Sequence, residues 1–433
     1  MATGSVAGFL LLFLLAAPLF AADSSKELEN KIVQQVTRNM PDSLSLLERV
    51  VNINSGTMNL EGVKRVGDVF AEEFKKIGFQ TRWIDMKQVN RAGHLFAERK
   101  GNQGKRVLLI GHLDTVFEKD EAFQRFERHG DRAVGPGVND MKGGDVIVFS
   151  ALRVLQELGL LENTTITVAF IGDEEDSGDT AISRRDLIET AKRSDVALGY
   201  ETCEGLATAT IARRGIGGWT LKVKGEQAHS SLIFRDDTGY GAIFEASRIL
   251  HEFYRQLAGE QYLTFNPGMI LGGTDVHEES EYSRGTAFGK TNIIANTVIV
   301  EGDLRAISED QKDKAREKMR KIVQTGNLPR TSATIEFSDG YPGMAPTEGN
   351  LRLLKKLDQV SRDLGYGPVE PFDPGRKGAA DISFVAPYLD AMDGLGGLGN
   401  GGHSPEEDID LTALPVLIQR SAVLIYRLTH EQD

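Results

Sequence analysis

The stretch VLLIGHLDTVF, from Val107 to Phe117, joins a short apolar run to a histidine and an aspartate two positions apart. The apolar run predicts a buried strand that ends at Gly111. Residues at i and i+2 of an extended chain point the same way, so His112 and Asp114 would lie side by side. Asp114 could then accept one imidazole N–H and direct the other nitrogen of His112 at a metal ion. A plain turn with two polar surface residues explains this stretch equally well, so the rest of the chain has to decide.

Segments with strand and helix patterns alternate on both sides of this stretch. Such alternation is typical of an α/β sheet that helices cover on both faces. Near the N-terminus, Pro41 separates two helical patterns, and proline commonly begins or ends a helix. The predicted helices of this part cover residues 25–39, 42–51, 59–77, 142–157, 180–191, 348–364 and 411–428, and the predicted strands cover residues 81–85, 95–99, 107–110, 165–172 and 196–200.

The pattern changes near Arg213 and returns to the first type after Pro346. Between these points, open-faced strands are predicted with two helices, which indicates an α+β domain inserted into the α/β domain. The strands cover residues 219–224, 292–307 and 333–337, and the helices cover residues 241–257 and 308–324. We therefore predict a leader (1–22), a main domain in two parts (23–212 and 341–433) and an inserted domain (213–340).

The composition is that of an ordinary globular protein of 433 residues with a net charge of -13. Hydrophobic residues make up 40% and charged residues 26%, and the length suffices for two domains. Lys and Arg are scattered without a basic stripe, which argues against a nucleic-acid partner. Because Cys203 is the single cysteine, no intrachain disulfide can form, and we expect a packed thiol rather than a nucleophile.

The N-terminus, MATGSVAGFLLLFLLAAPLFAADSSK, has the apolar core and the small-residue exit of a secretory signal peptide. The core runs from Gly8 to Ala17, and cleavage is expected near Ala21 or Ala22. The apolar run is short for a membrane span, and no other segment of the sequence reaches spanning length. We therefore predict an exported, soluble protein that is periplasmic or secreted.

Four later stretches share the character of the first one. Asp140 lies in the glycine-rich GPGVNDMKGG, and Glu174 and Glu175 lie in TITVAFIGDEEDSG, where a predicted strand runs into four carboxylates. Such carboxylates repel one another unless a cation lies among them. Glu201 follows a strand in DVALGYETC, and His403 follows six glycines in GLGGLGNGGHSPEEDID. Taken singly, each is compatible with a helix cap, a solvated acidic loop or a plain loop residue.

Taken together, these stretches supply two imidazoles and three carboxylates, mostly at the carboxyl ends of predicted strands. That ligand set suits a borderline divalent ion, above all Zn²⁺. Five ligands exceed what one tetrahedral ion needs, so two ions sharing one carboxylate are the economical count, and metal pairs commonly serve hydrolysis. The predicted ligands are His112, Asp140, Glu175, Glu201 and His403.

The chain resembles the M20 family of zinc peptidases and aminoacyl hydrolases over nearly all of its expected mature length. The resemblance rests on a combination of GHLDTVF, a GxxDMKGG loop, a strand ending in DEExxG, a glutamate after a strand, and GxxxHSPEE. The glutamate carboxypeptidase branch is most similar, with acetylornithine deacetylase and succinyl-diaminopimelate desuccinylase as relatives. The resemblance implies a zinc-exopeptidase-like mixed sheet flanked by helices, and a ferredoxin-like inserted domain that serves as lid and dimer contact.

The resemblance also implies how the five predicted ligands divide between two zinc ions. His112 and Glu201 would hold one ion, and Glu175 and His403 would hold the other. Asp140 would bridge both ions.

Two further residues receive roles from the same resemblance. Asp114 would support His112 from behind, and Glu174 would be the general base that passes a proton from water to the leaving amine. Adjacent residues at a strand end point in opposite directions, which agrees with separate roles for Glu174 and Glu175. The two glutamates could still exchange these roles.

Substrate-binding roles are implied for residues of the inserted domain and of one later loop. His229, in GEQAHSS, would reach the partner subunit's site and stabilise the oxyanion, although a surface histidine is the plain alternative. Asn296 and Arg305 would clamp a substrate carboxylate, but Ala295 stands where the family has proline. Arg376, in DPGRKGAADIS, would bind a terminal carboxylate or be a plain loop cation.

These expectations describe a secreted homodimeric dizinc carboxypeptidase that releases C-terminal glutamate or a similar amino acid. A deacylase of N-acyl amino acids or a dipeptidase is an alternative within the same chemistry. A non-catalytic metal-binding protein is an alternative of a different class. Glu174 argues against that last alternative, because a protein that only binds metal has no use for a general base.

Overall fold

The computed structural model describes residues 17–279 and 284–431, with side chains from residue 26 onward. Residues 1–16 of the predicted signal peptide (1–22) lie outside the described residues, and the signal peptide stays a prediction, as does the exported location. Among the described residues, the helices are all too short or too polar to cross a membrane.

The described residues form helices and strands in alternation through most of the chain. The helices are α1 Ala17–Val51, α2 Leu60–Lys76, α3 Lys142–Glu157, α4 Thr180–Ser183, α5 Arg185–Ala191, α6 Gly241–Leu257, α7 Glu309–Gln324, α8 Glu348–Asp363, α9 Ile382–Val385 and α10 Leu414–Thr429. The strands are β1 Gln80–Asp85, β2 Gly93–Arg99, β3 Gln103–His112, β4 Glu127–His129, β5 Arg132–Val134, β6 Thr164–Ile171, β7 Val196–Gly199, β8 Thr208–Ala209, β9 Gly215–Gly225, β10 Thr264–Gly273, β11 Asp275–Glu279, β12 Arg284–Phe288, β13 Thr297–Ala306, β14 Thr331–Asp339, β15 Glu370–Pro371, β16 Asp390–Met392, β17 Gly399–Asn400 and β18 Asp408–Asp410.

The main sheet has six strands in the order β1-β2-β6-β3-β7-β16. Strand β3 runs parallel to both of its neighbours, whereas β1 and β2 are antiparallel, so the sheet is mixed. Along β3, Val107 and Leu109 pack into the core beneath α1, α3 and α10, while Leu108 and Ile110 face α5 and α9. Helices thus cover both faces, which explains the continuous apolar run. The predicted α/β class with a mixed sheet is confirmed.

The parallel strands β3, β6 and β7 end at the same edge of this sheet. His112 is the last residue of β3, Glu174 and Glu175 follow β6, and Glu201 follows β7. Because parallel neighbours present their carboxyl ends together, residues far apart in the sequence meet there.

A second sheet of four antiparallel strands has the order β10-β13-β9-β14. With α6 and α7 it follows the β-α-β-β-α-β order of a ferredoxin-like arrangement and has its own core around Trp219, Phe253 and Met319. We call these six elements the antiparallel unit. Its elements lie within residues 213–340, but the predicted domain boundaries themselves stay a prediction.

The structure differs from the sequence prediction at the N-terminus and within the antiparallel unit. Helix α1 is continuous through Pro41, because the apolar residues before and after this proline pack into the same core. Strand β10 was not predicted: it contains Pro267 and lies at the edge of its sheet, where proline is tolerated. The predicted helix 180–191 is divided at Arg184, whose side chain is fully buried.

Candidate metal centre

The first group of candidate ligands joins the ends of β3 and β7 to the loop before α3. It consists of His112, Asp140 and Glu201, whose ligand atoms all lie within 4.8 Å of one another. His112 Nε2 is 3.3 Å from Asp140 Oδ1 and 3.8 Å from Glu201 Oε1. The imidazole is buried, and its Nε2 faces the two carboxylates of this group.

The second group joins the loop after β6 to the glycine-rich loop near the C-terminus. It consists of Asp140, Glu175 and His403, again within 4.8 Å of one another. His403 Nε2 is 3.2 Å from Asp140 Oδ2 and 3.1 Å from Glu175 Oε2. The side chain of His403 is 57% exposed, so this half of the site opens to solvent and to a substrate.

Asp140 belongs to both groups and uses a different carboxylate oxygen in each. Burial and the neighbouring Asp140 raise the pKa of Glu201 to about 7. Hydrogen bonds to Asp140 and Glu175 raise the pKa of His403 to about 11. The shift of the His403 pKa reflects the negative charge of its neighbours, and that of the Glu201 pKa reflects burial first and the charge of Asp140 second. A concentration of negative charge attracts cations. Two imidazole and three carboxylate donors, divided into two sets by one shared aspartate, fit a pair of divalent ions.

Asp114 holds the ends of β3 and β6 together. Its backbone oxygen is 3.0 Å and its carboxylate 3.4 Å from His112 Nδ1. The same carboxylate accepts the backbone N–H groups of Glu174 and Glu175 at 3.0 and 3.1 Å, and the hydroxyl of Thr57 at 2.7 Å. Asp114 therefore positions both glutamates as well as the imidazole, which the sequence did not reveal.

The structure also decides where the two neighbouring glutamates lie. Glu175 joins Asp140 and His403, whereas Glu174 belongs to neither ligand group. Burial, together with the charge of Glu201, raises the pKa of Glu174 well above its usual value. This placement favours Glu175 as the ligand and leaves Glu174 available for proton transfer.

Glu407 anchors the loop that carries Asp140. Its buried carboxylate accepts the backbone N–H groups of Gly137, Asn139 and Asp140 at 3.0, 2.8 and 2.9 Å. Glu407 lies four residues after His403, so it ties together the two loops of the second ligand group. The sequence motif contained this residue, but nothing in its spacing distinguished Glu407 from the exposed Glu406.

Arg213 and Asp393 support Glu201 in a similar way. Asp393 accepts the backbone N–H of Glu201 at 3.3 Å and binds Arg213 Nε at 2.7 Å. Both side chains are buried. The sequence analysis identified neither residue, because neither lies in a recognisable motif.

The contacts of the predicted substrate residues in the antiparallel unit lie within residues 213–340. His229 is exposed, and its ring contacts Ser231 in its own loop at 2.8 Å. Asn296 directly precedes the extended strand β13, and Arg305 is its penultimate residue. Nine residue steps of ~3.4 Å therefore separate them by ~30 Å. At that separation the two residues of one chain do not meet at one carboxylate, and the predicted substrate-binding roles of Asn296 and Arg305 stay a prediction. Arg305 is instead paired with Asp303 at 2.9 Å.

Arg376 is exposed on a loop that is anchored beside Glu201. Its guanidinium lies 5.2 Å from the ring centre of Phe372. The next residue, Lys377, is buried and donates to the carbonyl and hydroxyl oxygens of Thr202 at 3.1 and 3.0 Å. The loop with Arg376 is therefore held next to the strand end that carries Glu201.

Cys203 is buried two residues after Glu201 and donates to the carbonyl of Gly205 at 3.3 Å. Burial raises the pKa of its thiol. The environment is that of a packed side chain, as expected from the sequence.

Replacement of Glu407 by Gln should weaken metal binding. The side-chain amide nitrogen of the new glutamine would be a donor facing backbone N–H donors that now bind a carboxylate. The Asp140 loop would therefore lose part of its anchor. Residues that orient metal ligands typically contribute about 10- to 100-fold to metal affinity. Zinc affinity, measured by competition with a chelator, should fall within that range.

Glu406→Gln is the matched control, because Glu406 is the exposed neighbour of Glu407. Its zinc affinity should equal that of the wild type. Equal affinities for both variants would show that the anchor does not support the site.

Known proteins share both the sequence pattern and the fold. The family model for peptidase family M20/M25/M40 matches residues 108–427. Carboxypeptidase G2 from Pseudomonas sp. (strain RS-16) is 28% identical over 406 residues, which cover 92% of each chain. Succinyl-diaminopimelate desuccinylase from Orientia tsutsugamushi (strain Ikeda) is 27% identical over 198 residues, which cover 43% of this chain and 50% of the relative.

A solved structure shows the same fold. Aminopeptidase PepT from Bacillus cereus ATCC 10987 superimposes with a TM-score of 0.71 and 17% identity, covering 90% of this chain and 99% of the other. At that identity, the likeness establishes the fold alone. The match of the family model over most of the chain, together with a centre of clustered metal-ligand residues, shows that this protein is a metallohydrolase of peptidase family M20/M25/M40.

Proposed function

We propose that the protein is a dizinc carboxypeptidase that releases C-terminal glutamate or a similar amino acid. The observation that carries the proposal is the pair of ligand groups that share Asp140, with Glu174 close by and in neither group. Similarity to carboxypeptidase G2 over 92% of both chains supports cleavage beside a free carboxylate. The identity of the metal, its count of two per chain and the released amino acid all belong to this proposal.

His112, Asp140 and Glu201 would hold one ion, and Asp140, Glu175 and His403 the other. A bound pair of zinc ions supplies Lewis-acid activation of water and of the amide carbonyl. The chain itself supplies the proton transfer.

Glu174 would accept a proton from the attacking water and deliver it to the nitrogen of the leaving amine. Its burial raises its pKa, which makes the carboxylate a better proton acceptor than an exposed glutamate. The N–H donated by Glu174 to Asp114 holds its backbone at the end of β6. Position and proton affinity therefore both suit a general base.

Two alternatives use the same centre or part of it. Similarity to a succinyl-diaminopimelate desuccinylase over 43% of this chain favours an N-acyl-amino-acid deacylase or a dipeptidase as the second candidate. A protein that only binds metal is the candidate of a different class. The partly buried Glu174 beside the ligands argues against it, because even partial burial of an unused carboxylate costs free energy.

Replacement of Glu174 by Gln should abolish most hydrolysis while metal is retained. Loss of a general base typically lowers kcat about 10²- to 10⁴-fold. The assay is zinc content by elemental analysis together with hydrolysis of N-acyl amino acids and dipeptides that differ only in the C-terminal residue. Two zinc ions per chain and a preference for glutamate or aspartate are expected for the wild type.

Asp176→Asn is the matched control, since Asp176 is exposed on the same loop and pairs with Arg91. It should keep both metal and activity. A preference for acyl groups rather than C-terminal residues would support the deacylase. Bound metal without turnover of any substrate by the wild type would support the metal-binding protein.

Arg376 is the cation that we propose for the substrate carboxylate. Its loop is tied to Thr202, next to Glu201, by buried Lys377. Arg305 is already paired with Asp303 on β13. Because its loop is anchored beside Glu201 and Arg305 already has a partner, Arg376 is the better candidate of the two to bind the substrate carboxylate.

Replacement of Arg376 by Met should raise KM for substrates with a free C-terminal carboxylate. Charge-assisted hydrogen bonds contribute about 1.5–3 kcal/mol, so an increase of about 10- to 100-fold is expected. Steady-state kinetics of Arg376→Met, Arg376→Lys and Arg305→Met would measure it. A larger KM effect for Arg305→Met than for Arg376→Met would reverse the assignment.

We also propose a homodimer formed through the antiparallel unit. Ile243 and Phe244 on α6 are about half exposed, as is Ile270 on β10. Strand β10 lies at the edge of its sheet, where unpaired backbone groups can join a second copy of the same strand. Exposed apolar patches mark contact surfaces, and two-fold dimers are the commonest oligomers. This dimer would allow the exposed His229 to act in the partner's site.

Replacement of Ile243 by Asp should produce a monomer in sedimentation experiments, because it places a charge in the proposed interface.

If His229 acts in the partner's site, mixed dimers of His229→Ala and Glu174→Gln subunits contain one complete site. Random mixing should then restore about a quarter of the wild-type activity. Confirmed mixed dimers without restored activity would exclude this role of His229.

A further inference from the structure

The chain crosses between the antiparallel unit and the main sheet twice, and the two crossings are hydrogen-bonded to each other. Arg213 and Met344 exchange two backbone hydrogen bonds of 2.9 Å. Ile216 donates to the carbonyl of Tyr341 at 2.9 Å and accepts from Gly340 at 3.1 Å. The two crossing segments, residues 213–216 and 340–344, therefore form one hydrogen-bonded ribbon. A movement of the antiparallel unit would move both segments together.

Tyr341, on this ribbon, reaches the loop that carries the proposed base. Its hydroxyl donates to the backbone carbonyl of Glu174 at 3.0 Å and accepts from Arg184 at 2.7 Å. The ring packs edge-on against Phe384 with 4.9 Å between ring centres. The contact joins the carbonyl side of Glu174, while Asp114 binds its N–H, so the peptide units on both sides are fixed.

Arg184 orients the tyrosine hydroxyl. The guanidinium is fully buried and binds Asp381 through Nε and Asp173 through a terminal nitrogen, each at 2.5 Å. Its other terminal nitrogen donates to the carbonyl of Asp173 at 3.0 Å and to Tyr341. Because a guanidinium can only donate, the hydroxyl must accept from Arg184 and is left to donate to Glu174.

The hydroxyl of Tyr341 stays protonated at neutral pH. Burial, and after it the charge of Asp381, raises the pKa of Tyr341. The hydroxyl therefore keeps the proton that it donates to the Glu174 carbonyl throughout the pH range in which a hydrolase is assayed.

The other crossing segment, which contains Arg213, makes a similar connection to the site. Arg213 binds Asp393, and Asp393 accepts the backbone N–H of Glu201. The ribbon thus touches the site at two places, once behind the proposed base and once behind a proposed ligand.

We propose that Tyr341 is a positioning residue that sets the orientation of Glu174 and couples it to the antiparallel unit. The inference rests on the proposed function of Glu174 as the base. It goes beyond that function by assigning the alignment of the base to Tyr341, whose side chain contacts Arg184, Phe384 and the backbone of Glu174 and none of the five proposed metal ligands.

Tyr341→Phe removes the hydroxyl and keeps the ring against Phe384. We expect kcat to fall about 10- to 100-fold, because small displacements of a catalytic group have effects of that size. KM and zinc content should stay unchanged, since the ligand groups and Arg376 are not touched. Hydrogen exchange of the amides in residues 173–178 should become faster, because the loop loses one of its contacts.

Tyr366→Phe is the matched control, since Tyr366 binds Gln419 away from the centre. It should change neither kcat nor the exchange of residues 173–178. Unchanged kcat and unchanged exchange in Tyr341→Phe would overturn the proposal, as would a parallel loss of zinc, which would indicate a general structural role.

If the wild type hydrolyses no substrate, the proposed function fails, but the exchange measurement still tests whether Tyr341 holds the Glu174 loop. A Tyr341→Phe variant that does not fold would be replaced by Phe384→Leu, which loosens the same tyrosine ring and should lower kcat in the same direction.

Discussion

The repulsion between carboxylates that meet at one edge of the sheet is the constraint on which the rest of this structure depends. Asp140, Glu174, Glu175 and Glu201 are drawn together with two imidazoles, and burial makes their mutual repulsion stronger than it would be in water. Cations among its members, or protons on them, relieve this repulsion, which is the electrostatic reason why the site suits metal ions. The surrounding structure therefore has to hold these side chains in place against their own repulsion.

Backbone hydrogen bonds do much of this holding. Asp114 accepts N–H groups from the loop after β6, Glu407 accepts three from the loop with Asp140, and Asp393 accepts one from Glu201. Each of these buried acids binds the main chain of a segment that carries a proposed ligand, and Asp114 also contacts the imidazole of His112. Close packing assists them: at Gly144, any β-carbon would come within 2.1 Å of the carbonyl oxygen of Tyr200, which precedes Glu201. The helix that follows Asp140 can approach β7 only with glycine there.

Two buried arginines extend this support to the ribbon that leads into the antiparallel unit. Arg184 is paired with Asp173 and Asp381, and Arg213 is paired with Asp393. Buried ion pairs add little net stability, because desolvation of both charges offsets their attraction. Their contribution here is geometric: a guanidinium with fixed partners orients a tyrosine in one case and the backbone of a ligand in the other. The alignment of the site thus depends on residues that would contact neither metal nor substrate.

The sequence by itself determined the α/β class, the central strand and the set of candidate ligands. Apolar runs that end in His112, Glu175 and Glu201 are local patterns, and parallel strands bring such ends together in any fold of this class. Tertiary structure decided the rest. Helix α1 continues through Pro41 because packing outweighs a local preference, and Asn296 and Arg305 lie far apart because β13 is extended between them. Most partners of Asp114, Glu407, Arg184 and Tyr341 are distant in sequence, so only the folded chain reveals which polar residues support the site.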